Sequence, residues 1–148
     1  MTIAEQLTED MKESMRAGDA KRTGVLRLLR GALKNDEIKV GHTLDDTAVM
    51  KVLQREAKQR RDSIDAFKSA GRDDLLAQET VELEVIASYL PAAMSQEELA
   101  GVVDTVVIET GATDIKQMGQ VMGAVMKRVG ARADGGAVSA AVRARLGA

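Results

Sequence analysis

The sequence predicts an all-α protein, with an N-terminal four-helix domain over residues 1–90 followed by a C-terminal three-helix domain over residues 91–148. Three observations carry that expectation. Apolar residues recur at the helical spacing along nearly the whole chain, with no convincing strand alternation. The chain holds one proline, Pro91, which disfavours helix at Leu90 and marks the boundary between the domains. Aromatic residues are nearly absent, Phe67 and Tyr89 alone, so the core must come from Leu, Val, Ile, Ala and eight Met. That is the stock of packed helices.

The elements follow in order. Thr2 and Glu5 form a capping-box pattern, after which Ile3, Leu7, Met11 and Met15 line one face. A turn at Ala17-Gly18-Asp19 leads into a second helix running to about Ile38, with Val25, Leu26, Leu28, Leu29, Ala32 and Leu33 on a broad apolar face. Residues 39–46 contain Gly41 and read as a loop. A long third helix runs from about Thr47 to Ala70 and is stopped by Gly71. A fourth runs from about Arg72 to Tyr89. Beyond Pro91, Ser95 and Glu98 form a second capping box, opening a helix through Val102, Val103, Val106 and Ile108 that ends at Gly111. A sixth helix covers about Asp114 to Val129. GARADGG (Gly130 to Gly136) reads as a turn, and a last helix carries Val138, Val142 and Leu146.

Composition excludes several classes. Hydrophobic residues make up 45% and charged residues 30% of the 148 positions, a globular rather than disordered balance. Without cysteine there is no disulfide, thiolate nucleophile or Cys-based zinc site. The opening MTIAEQLTEDMKESMRAG carries acids throughout and no apolar stretch, so it reads as neither signal nor transit peptide. No apolar run approaches the roughly 20 residues of a membrane span. The expected location is cytoplasmic, with no membrane contact.

The net charge of −2 argues against a general nucleic-acid binder, but the distribution is uneven. From Lys116 onward six bases (Lys116, Lys127, Arg128, Arg132, Arg143, Arg145) face one acid, Asp134, while residues 1–115 hold 15 bases and 22 acids. A basic tail follows an acidic body.

Catalytic patterns are missing. His42, the single histidine, lies in the predicted loop beside Asp45 and Asp46, and a solvated side chain explains it better than a metal ligand. No serine has a nucleophile-elbow surrounding, and there is no P-loop or dinucleotide fingerprint. Asp45-Asp46 and Asp73-Asp74 stand where carboxylates favour a helix N-terminus. No cofactor, metal or catalytic residue is expected, and the chain is not expected to be an enzyme alone.

Binding patterns are richer. In LQREAKQRRDSIDAF the pairs Glu56–Arg60, Lys58–Asp62 and Arg61–Asp65 are spaced i,i+4, which suits a self-paired helix face better than a recognition surface. On the second helix Arg27, Arg30 and Lys34 fall within about 60° of one another, with no acid at i±4. They form an ordinary polar face or an anion-binding stripe. The sixth helix sets Ile115, Met118, Val121, Met122, Val125, Met126 and Val129 on one side, and Lys116, Gln120 and Lys127 on the other, among Gly119, Gly123 and Ala124. Each interior glycine costs about 1 kcal/mol relative to alanine, so something is expected to approach that backbone closely. A neighbouring helix and a phosphate backbone are the two candidates. Met118, Met122 and Met126 read as core filler rather than a docking groove.

The blocks LRLLRGALKNDEI (Leu26 to Ile38), KQRRDSIDAF (Lys58 to Phe67), AGRDDL (Ala70 to Leu75), SYLPAAMS (Ser88 to Ser95), MGQVMGAVM (Met118 to Met126) and RADG (Arg132 to Gly135) resemble the YqeY family, in the family's order and over nearly the whole chain. The resemblance implies kinship with the C-terminal region of the GatB subunit of glutamyl/aspartyl-tRNA amidotransferase, a helical appendage that engages tRNA. By similarity it implies a carbon–nitrogen ligase with glutamine as amido donor; the residues support the appendage and not the reaction. Gly136 stands where the family commonly has a lysine after ADG, and Ala131 where a glycine often precedes the arginine, although Arg132 remains. The expected partner is tRNA or another folded RNA, bound through Lys116, Gly119, Gln120, Gly123, Lys127, Arg128, Arg132 and Arg143, with Arg27, Arg30 and Lys34 as a second basic stripe. The alternative is a helical adaptor that holds a protein partner. With Phe67 and Tyr89 as its two aromatics, the chain has little on which to stack single-stranded bases, so any RNA would be read by shape and phosphate.

Overall fold

The computed structural model describes residues 1–147, and these contain seven α-helices and no strand. They are α1 (Ile3–Arg16), α2 (Ala20–Val40), α3 (Asp46–Ala70), α4 (Asp73–Ala87), α5 (Gln96–Thr110), α6 (Met118–Val129) and α7 (Gly135–Leu146). The chain divides into two compact units, the first ending at Leu90 and the second beginning at Pro91.

In the first unit α1 packs on α2 and α3 packs on α4, and α2 also touches α3 and α4. Local chemistry sets the ends. Thr2 and Glu5 make a complete capping box on α1, with Thr2 N–H donating to the Glu5 carboxylate at 2.9 Å and Glu5 N–H to the Thr2 hydroxyl at 3.1 Å. Asp45 caps α3 by accepting from Ala48 N–H at 2.8 Å. Gly71 ends α3 at φ +68°, a left-handed conformation that costs a side chain-bearing residue strain. Leu7, Leu26, Leu29, Leu33, Val49, Leu53 and Ile86 fill the core. Burying each such side chain contributes about 1.5–3 kcal/mol.

Two polar features sit inside this unit. The Ser14 and Thr23 hydroxyls lie 2.8 Å apart across the α1–α2 contact, both buried. Arg60 of α3 is ion-paired to Glu56 on its own helix and, at 3.2 Å, to Glu82 of α4, each side chain less than 15% exposed. These buried charges are tolerated because each is partnered. The Tyr89 hydroxyl donates to the Asp10 carboxylate and ties the end of the unit to α1. Burial, foremost, and that carboxylate push the phenol pKa up.

In the second unit α5, α6 and α7 each touch both others. Its core holds eight valines, with Leu99, Ala112 and Leu146. Valine has one strongly preferred rotamer in a helix, so such a core is stiff at some cost in helix propensity.

Several expectations need correction. Met15 is 50% exposed and Ser14 is buried instead, because the Ser14–Thr23 bond turns that side of α1 inward. Leu28 and Ile108 also face outward, at 54% and 70% exposure; on α5, Val107 takes the inner place expected of Ile108. The sixth helix does not begin at Asp114. Residues Ile115–Gln117 form a 3₁₀ turn in which Gln117 Oε1 accepts from the N–H groups of Thr113 and Asp114, and α6 proper starts at Met118. The capping box at Ser95 is half formed. Ser95 accepts from Glu98 N–H at 3.1 Å, but the Glu98 carboxylate is taken by Arg132 at 3.0 Å. Within GARADGG, a 3₁₀ turn spans Gly130–Arg132 and α7 already begins at Gly135, capped by Asp134.

Candidate functional site

The valine stripe of α6 (Val121, Val125, Val129) points into the core, with Met118, Met122 and Met126 packed beside it. The opposite face is therefore solvent-facing, and it carries Gly119, Gln120, Gly123 and Lys127. Lys116 lies just before it in the 3₁₀ turn, whose tighter winding rotates it by about 40° toward Gly119. A Cβ placed on Gly119 or Gly123 would meet nothing within 4 Å. Among the described residues no helix of this unit packs against the two glycines, so they leave a smooth strip of open backbone between two lysines.

Three other bases of this unit behave differently. Arg128 points to the opposite flank of α6 and is ion-paired with Glu109 of α5. Arg132 pairs with Glu98 at 3.0 Å and donates to the Ala92 carbonyl at 3.2 Å, while its own carbonyl accepts from Met94 N–H at 2.9 Å. It fastens the segment after Pro91 onto the second unit. Arg145 of α7 pairs with Asp104 at 2.9 Å. Helix α5 thus answers three of the six bases. Counted over residues 91–148 the unit has six bases and six acids. Lys116, Lys127 and Arg143 are exposed, and their side chains have no carboxylate partner among the described residues, although the Lys116 backbone N–H donates to the Asp114 carboxylate at 3.0 Å. The acids of α5 precede the basic tail in the chain, so its charge looked unopposed in linear sequence.

Arg27, Arg30 and Lys34 belong to the first unit, on the exposed side of α2. With Ala4, Thr8, Gly31, Leu33 and Glu37 they line a groove of about 540 Å³ along α1. Lys34 stands 3.7 Å from Glu37. The Arg27 and Arg30 guanidiniums touch no carboxylate among the described residues and rest on methionine sulfurs instead. Thr8 and Gly31 escaped sequence reading, because only the packing of α1 on α2 makes them neighbours of this stripe.

His42 is exposed, with Nδ1 2.9 Å from the Thr43 carbonyl oxygen. Asp45 caps α3, and Asp46 accepts from Ile3 N–H at 3.0 Å, so both loop acids have structural work. Lys58–Asp62 is formed at 2.9 Å. Among the described residues no three His, Asp or Glu side chains gather as a metal ion requires, and no helix is long and apolar enough to cross a membrane.

A model of the Yqey-like protein family matches residues 4–146. Among curated relatives, "Altered inheritance of mitochondria protein 41, mitochondrial" of Eremothecium gossypii is 36% identical over 110 residues, covering 72% of this chain and 60% of that protein. The protein of the same name from Lachancea thermotolerans is 38% identical over 85 residues, 57% of this chain and 46% of it. That from Saccharomyces cerevisiae is 33% identical over 94 residues, 63% and 51%. The chain thus spans about half to three-fifths of the relatives it matches. These names overturn the cytoplasmic expectation: close relatives are mitochondrial proteins. That expectation rested on missing cysteine and on reading the acidic N-terminal stretch as neither signal nor transit peptide, and free thiols or their lack do not separate one reducing compartment from another. With the family model matching nearly its whole length, the chain belongs to the YqeY family.

Proposed function

We propose that this protein is a non-catalytic accessory of folded RNA, with tRNA the first candidate, and that it meets RNA through the exposed face of α6. The observation that supports this reading is the pairing pattern of the second unit. Three arginines are consumed by α5, whereas Lys116 and Lys127 stand unpaired at the two ends of an open strip holding Gly119 and Gly123. Unpaired lysines beside bare backbone suit phosphate oxygens, which position a nucleic acid without reading its sequence. Gln120 adds a neutral donor on the same face, and exposed Arg143 of α7 adds charge.

Titration of tRNA onto the full chain at several salt concentrations tests it. Affinity should fall with salt by a log–log slope of roughly 0.7–0.9 per phosphate neutralised. Lys116→Ala with Lys127→Ala should flatten that slope by about one to two units and leave sequence preference unchanged. Gly123→Leu should weaken binding at unchanged helix content. No measurable affinity for tRNA at low salt would end this reading.

The adaptor reading has one observation in its favour. Ala20, Gly24, Val25, Leu28, Ala77 and Val81 line a mostly apolar groove of about 560 Å³ between α2 and α4, with Lys21, Asp74, Gln78 and Glu82 completing its lining. Leu28, at 54% exposure, is the large apolar side chain left open there. If tRNA fails to bind, this groove becomes the leading surface.

A further inference from the structure

The α1–α2 groove of the first unit holds two arginines in an uncommon state. Arg27 Nη2 donates to Met15 Sδ at 3.9 Å and Arg30 Nη1 to Met11 Sδ at 3.5 Å. A thioether is a weak acceptor, so these contacts orient the guanidiniums without satisfying them. Each keeps most of its five donors. Elsewhere in this unit the structure treats arginines differently: Arg55 is doubly hydrogen-bonded to Asp36 and Arg60 is held by two glutamates.

Geometry adds to the chemistry. Arg27 and Arg30 are three residues apart on one helix, about 4.5 Å along the axis, and Lys34 lies about one turn beyond Arg30. Gly31 stands between them, and a Cβ there would meet nothing within 4 Å, so no side chain separates a ligand from the helix backbone. Three cations line the groove against a single carboxylate, Glu37, which is engaged by Lys34 at 3.7 Å. Thr8 offers a hydroxyl from the α1 wall, although it already donates to the Ala4 carbonyl at 3.2 Å.

We propose that this groove is a binding site for adjacent phosphoryl groups, with Arg27 and Arg30 each gripping one and Lys34 neutralising the outer charge. Planar guanidiniums give paired, charge-assisted hydrogen bonds to phosphoryl oxygens, which a methionine sulfur cannot rival. A phosphate therefore displaces the thioethers at little cost, and the methionines act as holders that keep the forks spread toward the groove. The site is independent of the α6 face. The ligand is a free oligophosphate, including the phosphate tail of a nucleotide, or the phosphodiester chain of an RNA; both present the same oxygens.

The test follows arginine side-chain N–H resonances of the full chain by NMR during titration with tripolyphosphate, with sulfate at matched ionic strength as control. Arg27 and Arg30 should shift with tripolyphosphate, while Arg55 and Arg60 stay in place. Arg27→Ala with Arg30→Ala should weaken binding at least about tenfold, since one charge-assisted hydrogen bond accounts for that much. Gly31→Glu should weaken it similarly: the new carboxylate lies i+4 from Arg27 and i−3 from Lys34, and glutamate is a better helix former than glycine. A parallel titration with an RNA hairpin separates the sources. Shifts at Arg27 and Arg30 from the hairpin name the phosphodiester chain; shifts from tripolyphosphate alone name a free oligophosphate. The proposal is overturned if neither ligand moves these resonances, if sulfate moves them equally, or if both variants bind as the unaltered chain does.

Discussion

Burial raises the carboxyl pKa of Glu79, the Glu82 carboxylate raises it further, and the Arg60 guanidinium opposes them. A carboxyl whose folded pKa lies above its unfolded value binds its proton more tightly in the fold. Stability therefore falls as pH rises through that window, and the penalty persists above it. Glu79→Gln keeps the uncharged shape, so it should raise the melting temperature at pH 7, with the gain vanishing below the ordinary glutamate pKa of about 4.3. Asp36 has the opposite sign. Its hydrogen bond from Arg55 holds the carboxyl below the usual range, with the charge of Arg55 adding to it. That stability is present above the unfolded pKa and lost as pH falls through the folded one, so Asp36→Asn should lower the melting temperature at pH 7 and converge on the unaltered protein in acid. Thermal melts from pH 3 to 7.5 check both; a pH-independent difference in either variant would show that charge is not its cause.

At the scale of elements, glycines differ in whether the fold requires them. Gly71 sits at φ +68° and Gly71→Ala should cost about 1 kcal/mol or more. Gly123 is helical with open space beside it, so Gly123→Ala should stabilise the chain by up to about 1 kcal/mol. Denaturant unfolding measures both, and a loss on Gly123→Ala would mean that the fold needs that glycine. The same distinction explains what the sequence made legible. Caps are local, so Thr2 with Glu5, Gly71 and Gly111 marked helix ends within a residue or two. The buried face was legible only to within one position, since Ser14 against Met15 and Val107 against Ile108 are decided by partner helices. Ion pairs across helices were not legible at all. Arg128 meets Glu109 nineteen residues away, Arg132 meets Glu98 thirty-four away and Arg145 meets Asp104 forty-one away, distances at which no periodicity argues. The α6 face and the α2 stripe could be read from single helices; their freedom from carboxylates could not.

For the whole molecule, each unit has its own core, one of leucine, isoleucine and valine, the other mainly of valine. Fragments ending at Leu90 and beginning at Pro91 should therefore each keep their helical circular dichroism and melt cooperatively. The shorter should melt lower, because a chain of about 60 residues buries a smaller fraction of its surface. A fragment that is unfolded alone would show that its core depends on the other. The units also differ in charge, 15 bases against 17 acids before Pro91 and six against six after it. Electrostatic attraction for a polyanion is thus a property of local strips, not of either unit's total.

The bond between Tyr89 and Asp10 has an optical consequence. Tyr89 is the sole tyrosine and there is no tryptophan, so tyrosine emission comes entirely from the first unit and the second is dark. A melt followed by that emission records the parting of α1 from the end of α4, while far-ultraviolet ellipticity sums both units. The raised phenol pKa delays the tyrosinate spectrum in alkali until this contact opens. One half-buried hydroxyl thus labels half the molecule without any probe being attached.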